Sequence, residues 1–194
     1  MLRFEEKTHT YYWFDKPVMN VSTALKARYY REMELYSNEE ALIRGKYVHL
    51  ATALYDNDNL DEDTLDPLIR NFWSQWVAFR ESTGFVPDLV ETRGYNSRYG
   101  YAGTLDRTGM LNGNKILLDI KTSKTKHKLS KAVKLQTAAY SELDNVKEAG
   151  PYAGRYGVLL TPDSFDLQGP WVSPNDFAVF VYELVGQKYK EERP

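Results

Sequence analysis

Hydrophobic and polar positions divide this chain into stretches of period near four and stretches of period two. From Ser37 to about Tyr55, Ile43, Tyr47, Leu50 and Leu54 recur at helical spacing, and Ser37 with Glu40 has the form of a capping box, so a helix buried along that stripe is expected. Leu68, Phe72, Trp76 and Phe79 mark a second helix from about Thr64 to Ser82, with its tryptophans read as packing residues and Gly84 ending it. Leu129, Val133, Gln136, Tyr140 and Leu143 define a third, from about Leu129 to Ala149, broken by Pro151. Ser173 as N-cap and Pro174 at the first turn open a last helix running to about Lys190. A short helix over Val21 to Met33, capped by Ser22, precedes them all.

Strand-like stretches fill the intervals: Phe85 to Tyr95, the two halves of Tyr101 to Lys124, Tyr156 to Thr161, and Asp166 to Val172 pairing back on it. Leu2 to Lys16 reads as a strand or extended arm, with Tyr11, Tyr12, Trp13 and Phe14 against the core. Helix, three-strand meander, helix, strand is the order of an α/β protein with a mixed sheet flanked by helices. A single domain over 1–194 is expected, with its core at about 37–161. Residues 1–36 form an N-terminal arm and helix, and 162–194 a C-terminal hairpin and helix.

The central hairpin carries a register argument. Asn112-Gly113 is a strong signal for a two-residue type I′ turn, since both central positions need positive φ. Leu111 then pairs with Asn114, and opposed positions sum to 225, which sets Asp106 opposite Asp119 at about 5 Å between Cβ atoms. Alternation puts Lys121 on the face of Asp119 and turns Ile116, Leu118 and Ile120 to the other. Two opposed carboxylates repel unless a cation or a proton lies between them, so the pair asks for a metal ion. A solvated strand face is the bland alternative for an Asp-x-Lys triplet.

Composition narrows what such a site can be. At 42% apolar and 14% aromatic, the 194 residues can bury a sizeable core. No apolar run reaches a membrane span and the charged start lacks the apolar core of a signal peptide, so a soluble, intracellular (cytoplasmic) protein without a membrane partner is expected. With no cysteine, disulfides, thiolate zinc sites and iron–sulfur clusters are excluded, and any metal is held by oxygen and imidazole. The net charge of −2 argues weakly against a general nucleic-acid binder, but its distribution is uneven. Seven lysines lie between Lys115 and Lys134 against the single acid Asp119, beside the carboxylate pair, where a polyanion would need them. The six acids between Asp56 and Asp66 read as a solvated loop.

Other candidates follow from spacing. His49 lies one turn beyond Gly45, whose small size would let that helix face approach another element; this favours His49 over His9 and His127, although a lone helical histidine is also a common satisfied core residue. Glu91 is either a third carboxylate or an exposed strand acid. Gln136, in an apolar row with Tyr140 one turn on, needs a polar partner toward the sheet if buried, or else marks a helix edge.

Taken in order, Gly45-x-x-x-His49, Glu91, Gly103-Thr-Leu-Asp106, Asp119-Ile-Lys121-Thr122 and Gln136-x-x-x-Tyr140 resemble the motifs of the PD-(D/E)xK nucleases, and within them the RecB-type exonuclease branch. The resemblance spans about residues 20 to 160. It implies a restriction-endonuclease-like αβββαβ core with additional N-terminal helical elements. It further implies that His49, Asp106, Asp119 and the carbonyl of Ile120 ligate Mg²⁺ or Mn²⁺, an ion choice that hard oxygens plus one imidazole also suit. Lys121 would orient or activate the attacking water, Glu91 would assist through the water shell, and Gln136 and Tyr140 would position the scissile strand. Thr122 and the lysines Lys124, Lys126, Lys128 and Lys131 would meet the substrate.

The implied activity is phosphodiester hydrolysis leaving a 5′-phosphate, by an exonuclease acting on single strands or duplex ends in recombination, repair or phage DNA metabolism, with a recombination or replication protein as partner. Several members of this branch carry four cysteines for an iron–sulfur cluster; this chain departs from them. A catalytically inactive nuclease-fold protein binding DNA or a partner, and a restriction-type endonuclease, are the competing readings. The absence of a Gly-Lys-Ser/Thr phosphate loop speaks against nucleotide hydrolysis.

Overall fold

The computed structural model describes residues 1–26 and 39–191. Among them, eight strands form one mixed sheet: β1 (Leu2–Glu5), β2 (Thr10–Trp13), β3 (Lys16–Asn20), β4 (Val86–Asn96), β5 (Tyr101–Leu111), β6 (Asn114–Thr122), β7 (Gly154–Leu160) and β8 (Phe165–Trp171). The helices are α1 (Val21–Leu25), α2 (Glu39–Asp56), α3 (Pro67–Thr83), α4 (Lys131–Ser141), α5 (Asp144–Glu148) and α6 (Asn175–Glu191). The sheet runs β1-β2-β3-β5-β6-β7-β8, with β4 on the other edge of β5. β4, β5 and β6 are antiparallel, whereas β6 and β7 are parallel, joined by the crossover through α4 and α5. This is the α/β architecture with a mixed, helix-flanked sheet that the periodicity predicts.

Alternation along β6 sorts its side chains between two cores. Ile116, Leu118 and Ile120 pack with Phe72, Trp76 and Phe79 of α3 on one face. Leu117 joins Leu135 and Ala139 of α4 and Phe180 of α6 on the other. Trp76 and Phe79 are fully buried, so the tryptophan reading as packing holds. The hairpin turn has φ of 49° at Asn112 and 76° at Gly113, as a type I′ turn demands, and the ladder runs from Leu111↔Asn114 to Arg107↔Leu118, each pair summing to 225.

Several expectations need correction. In α2 the predicted stripe faces outward: Ile43, Tyr47 and Leu50 are about half exposed, while Arg44, Val48, Ala51, Thr52 and Ala53 are buried. Apolar residues surround this helix, so periodicity admits two faces, and the sheet takes the smaller side chains. In α3, Leu68 is exposed and Ile69 and Trp73 take its place; Asp66 caps the helix through Leu68 N at 2.8 Å. The exposed Ile43, Tyr47, Leu50 and Leu68 line an apolar groove of about 990 Å³ between α2 and α3.

The long helix expected to Ala149 is two, α4 and α5, because Leu143 turns extended (ψ 134°) where Asn96 Nδ2 donates to the Glu142 carbonyl and Ser97 N to Asp144. Asn20, not Ser22, caps α1 by accepting from Thr23 N. The remainder of the Val21 to Met33 helix beyond Lys26, and the Ser37 cap, lie outside the described residues. Leu2 to Lys16 is a meander, not a single arm; Tyr11 is buried, Trp13 stacks on Tyr95 at 4.2 Å, and Phe14 is exposed. Asp56 does not belong with the solvated acids, since its side chain is fully buried.

Candidate metal centre

Strand β5 shares its second edge between two neighbours. β6 pairs with residues 107–111 and β3 with Tyr101 and Ala102, leaving the edge open from Gly103 to Asp106. The gap begins where the register would oppose Asp106 to Asp119, so these two are not a paired position, contrary to expectation. Repulsion between directly opposed carboxylates accounts for the parting of the strands. In place of the lost ladder bond, Asp106 Oδ2 accepts the N–H of Ile120 at 2.6 Å. Alternation also breaks here, since Leu105 packs with the α4 core whereas Arg107, two residues on, reaches the α2 side.

Three side chains converge on this opening. Ligand atoms of His49 from α2, Glu91 from β4 and Asp106 from β5 all lie within 4.8 Å of one another. His49 Nδ1 is 3.4 Å from Glu91 Oε1 and 3.6 Å from Asp106 Oδ1. Its Nε2 lies 3.0 Å from the carbonyl of Ile120 and, since a carbonyl only accepts, carries a proton. Burial alone would depress the imidazole, but the charges of Asp106 and Glu91 outweigh it and push the pKa up to about 9. Glu91 sits at φ +43°, a strained value for a non-glycine residue, and this turns its carboxylate toward His49 and Arg107. Its pKa is lowered: burial acts upward, and the cationic His49 and Arg107 overcome it.

Asp119 stands beside this group, outside its compact core. It is fully buried, its Oδ2 lies 2.5 Å from Lys121 Nζ, and neither oxygen accepts a hydrogen bond of good geometry. Burial raises its pKa, Lys121 opposes, Asp106 adds to the rise, and the value reaches about 6. A buried carboxylate with one oxygen unpartnered is costly, and a cation relieves that cost. His49, Glu91 and Asp106, with Asp119 and the Ile120 carbonyl beside them, therefore offer hard oxygens and one nitrogen to a cation. Glu91 belongs to the convergent group, closer in than the role of remote assistant expected for it.

The other predicted residues fall in two classes. Gln136 is buried, not at a helix edge, and its Nε2 donates to Tyr140 Oη at 2.8 Å. Gly103 makes room for Tyr140: a Cβ there would meet its Cε1 at 2.7 Å, so only glycine lets the ring lie on the open edge of β5. Gly45 has no such duty, since a Cβ would stand 3.7 Å from Thr122 Oγ1, an ordinary contact. Of the lysine run, Lys121 stands beside the cluster, whereas Lys124, Lys126, Lys128 and Lys131 do not line the cleft that leads to it. Lys124 pairs with Glu40 at 3.0 Å and Lys126 with Asp166 at 3.1 Å, while Lys128 and Lys131 are exposed.

What sequence reasoning missed is the support. Arg107, fully buried, donates to Asp56 at 2.6 Å, Glu91 at 3.1 Å and Thr52 at 3.1 Å. Asp56 also receives Trp76 Nε1 at 3.0 Å and Arg80 at 2.8 Å. The available signal was an arginine on the apolar face of a strand, which demands a buried acid. The cluster opens into a cleft of about 1080 Å³ between α2 and the β1–β2 hairpin.

No family model matches the chain, and no curated protein matches it significantly. Among solved structures, it aligns with the crystal structure of SSO0001 over 91% of this chain and 77% of that one, at 16% identity and a TM-score of 0.45, values at which the likeness carries no argument.

Proposed function

We propose that this chain is a Mg²⁺- or Mn²⁺-dependent DNA exonuclease of the PD-(D/E)xK type, built on a restriction-endonuclease-like core. The observation that carries the reading is the fully buried carboxylate of Asp119, held by Lys121 through Oδ2 and with Oδ1 unpartnered, beside the convergent His49, Glu91 and Asp106. A structural ion-pair cluster satisfies its oxygens; here Asp119 Oδ1 is buried without a partner while Oδ2 faces the ammonium of Lys121. His49, Asp106, Asp119 and the Ile120 carbonyl would hold the cation, with Glu91 near enough to join them. A bound divalent ion supplies Lewis acidity to the attacking water and offsets negative charge on the phosphoryl group.

The protein's own groups do the rest. Asp119 keeps the Lys121 ammonium at the edge of the site, where it orients the water and meets charge developing on the phosphoryl oxygens. Tyr140, seated on Gly103, and its partner Gln136 border the open edge of β5 and position the scissile strand. Arg107 fixes Glu91 from behind.

The test is hydrolysis of end-labelled linear and of covalently closed circular DNA in Mg²⁺ or Mn²⁺. An exonuclease consumes linear DNA and spares the circle; cutting of the circle means an endonuclease. Asp119→Ala and Lys121→Ala should each lower the rate by about 10²–10⁴-fold. Wild-type rates in both variants would refute the site.

A further inference from the structure

Apart from Lys121 at the site itself, the lysines of the seven-lysine run pair with acids or do not line the cleft that leads to the cluster. Two other cations line that cleft. Lys46 projects from α2, is exposed, and has no ion pair among the described residues. Arg93 projects from β4, two residues beyond Glu91, with its guanidinium 4.5 Å over the ring of Phe4 from β1. Its one acid partner among the described residues is the exposed Glu6, at a loose 3.7 Å. Stacking on an aromatic face removes rotamer freedom from a side chain that binds phosphate in a planar fork, so Arg93 is held ready in advance. Lys46 comes from the helix wall of the cleft and Arg93 from the sheet wall, and Glu91 and Asp106 line the same cleft.

We propose that Lys46 and Arg93 are the phosphate-binding residues of this protein, gripping the backbone of the nucleic-acid strand from opposite walls of the cleft, with Phe4 as the positioning residue of Arg93. This rests on the nuclease reading. The carboxylates of Glu6, Glu91 and Asp106 line the same cleft, so the grip works against local negative charge until a divalent cation offsets it. Strand binding, and not hydrolysis alone, therefore depends on the ion.

The experiment measures affinity for end-labelled oligodeoxythymidine across a range of salt, in Ca²⁺ and in EDTA, for wild type, Lys46→Gln/Arg93→Gln and Lys126→Gln/Lys128→Gln/Lys131→Gln. The proposal expects binding in Ca²⁺ to exceed that in EDTA, and the slope of log K against log salt to become shallower by about 0.7 for each cleft substitution. Phe4→Leu should weaken binding without lowering thermal stability, and a variant with Arg93→Lys should recover only part of the lost affinity. An unchanged slope in the cleft variant with a shallower one in the triple lysine variant would overturn the proposal and leave the nuclease reading standing. Wild-type protein that neither binds nor cuts the strand would overturn both.

Discussion

His49 faces two carboxylates through Nδ1 and gives its Nε2 proton to Ile120, so at neutral pH the metal-free protein holds it as an imidazolium. A metal ligand must be neutral at the coordinating nitrogen, and binding therefore displaces a proton. Calorimetry at pH 7.5 in buffers of different ionisation enthalpy should find about one proton released per ion, and affinity should climb with pH toward about 9. The same group sets a stability window. Its folded pKa lies above the ordinary 6.5, so its contribution is full below that value and is lost as pH rises through about 9. The melting temperature of the metal-free protein should fall across that interval, and His49→Gln should flatten the fall.

Asp119 shifts stability in the same direction with pH, but as a cost of its charged form and at lower pH. Its folded pKa of about 6 exceeds the ordinary 3.8, so ionisation costs the native state above pH 6 and the cost vanishes as pH drops toward 4. Asp119→Asn should raise the melting temperature at pH 8 while removing activity, the trade expected of a functional residue. A lower melting temperature would mark it as a structural ion-pair member instead.

At the scale of elements, the site exists because three strands disagree about pairing. β6 leaves β5 after Arg107↔Leu118 to follow β7, β3 takes only the first two positions of β5, and the intervening edge stays open for side chains. Two contacts hold the elements that border it. Gly103 admits Tyr140 of α4, and Gly103→Ala should cost about 1–3 kcal/mol by overpacking and displace the ring, lowering turnover along with stability. Asp56 at the end of α2 binds Arg107 of β5 and both Trp76 and Arg80 of α3. Asp56→Ala removes the closest acid from the buried Arg107, leaving it only Glu91 among the described acids, and should destabilise the fold by about 3–5 kcal/mol, measured by denaturant unfolding. A loss below 1 kcal/mol would mean that Arg107 is compensated from elsewhere.

Over the whole molecule, two helical layers cover the sheet from α2 and α3 on one side and from α1, α4 and α6 on the other, and the small meander of β1 to β3 extends its edge beside the cleft. No helix among the described residues is long and apolar enough to cross a membrane. Part of the buried charge gathers at one seam: Asp56 pairs with Arg107, which neighbours Asp106, and Asp119 is buried beside them, while Arg155 is buried elsewhere with Asp176.

Local rules were enough to read the hairpin from the sequence: a two-residue turn with positive φ, a register that follows from it, and alternation that separates Ile116, Leu118 and Ile120 from Asp119. The same rules name Asp106 and Asp119; helical spacing adds His49, Glu91 stays open between a third carboxylate and an exposed acid, and the ligand set comes from the resemblance. They did not foresee that β5 and β6 part at the carboxylates, that Glu91 swings inward, that α2 buries its smaller face, or that Arg107 and Asp56 hold the seam from behind. Those outcomes depend on which of two similar surfaces packs better and on charges brought together from segments about fifty residues apart, and neither is a property of spacing along one segment. The polyanion path shows the difference most plainly: a run of lysines is visible in the chain, but which cations face the cleft is decided only once the helix and the sheet stand on either side of it.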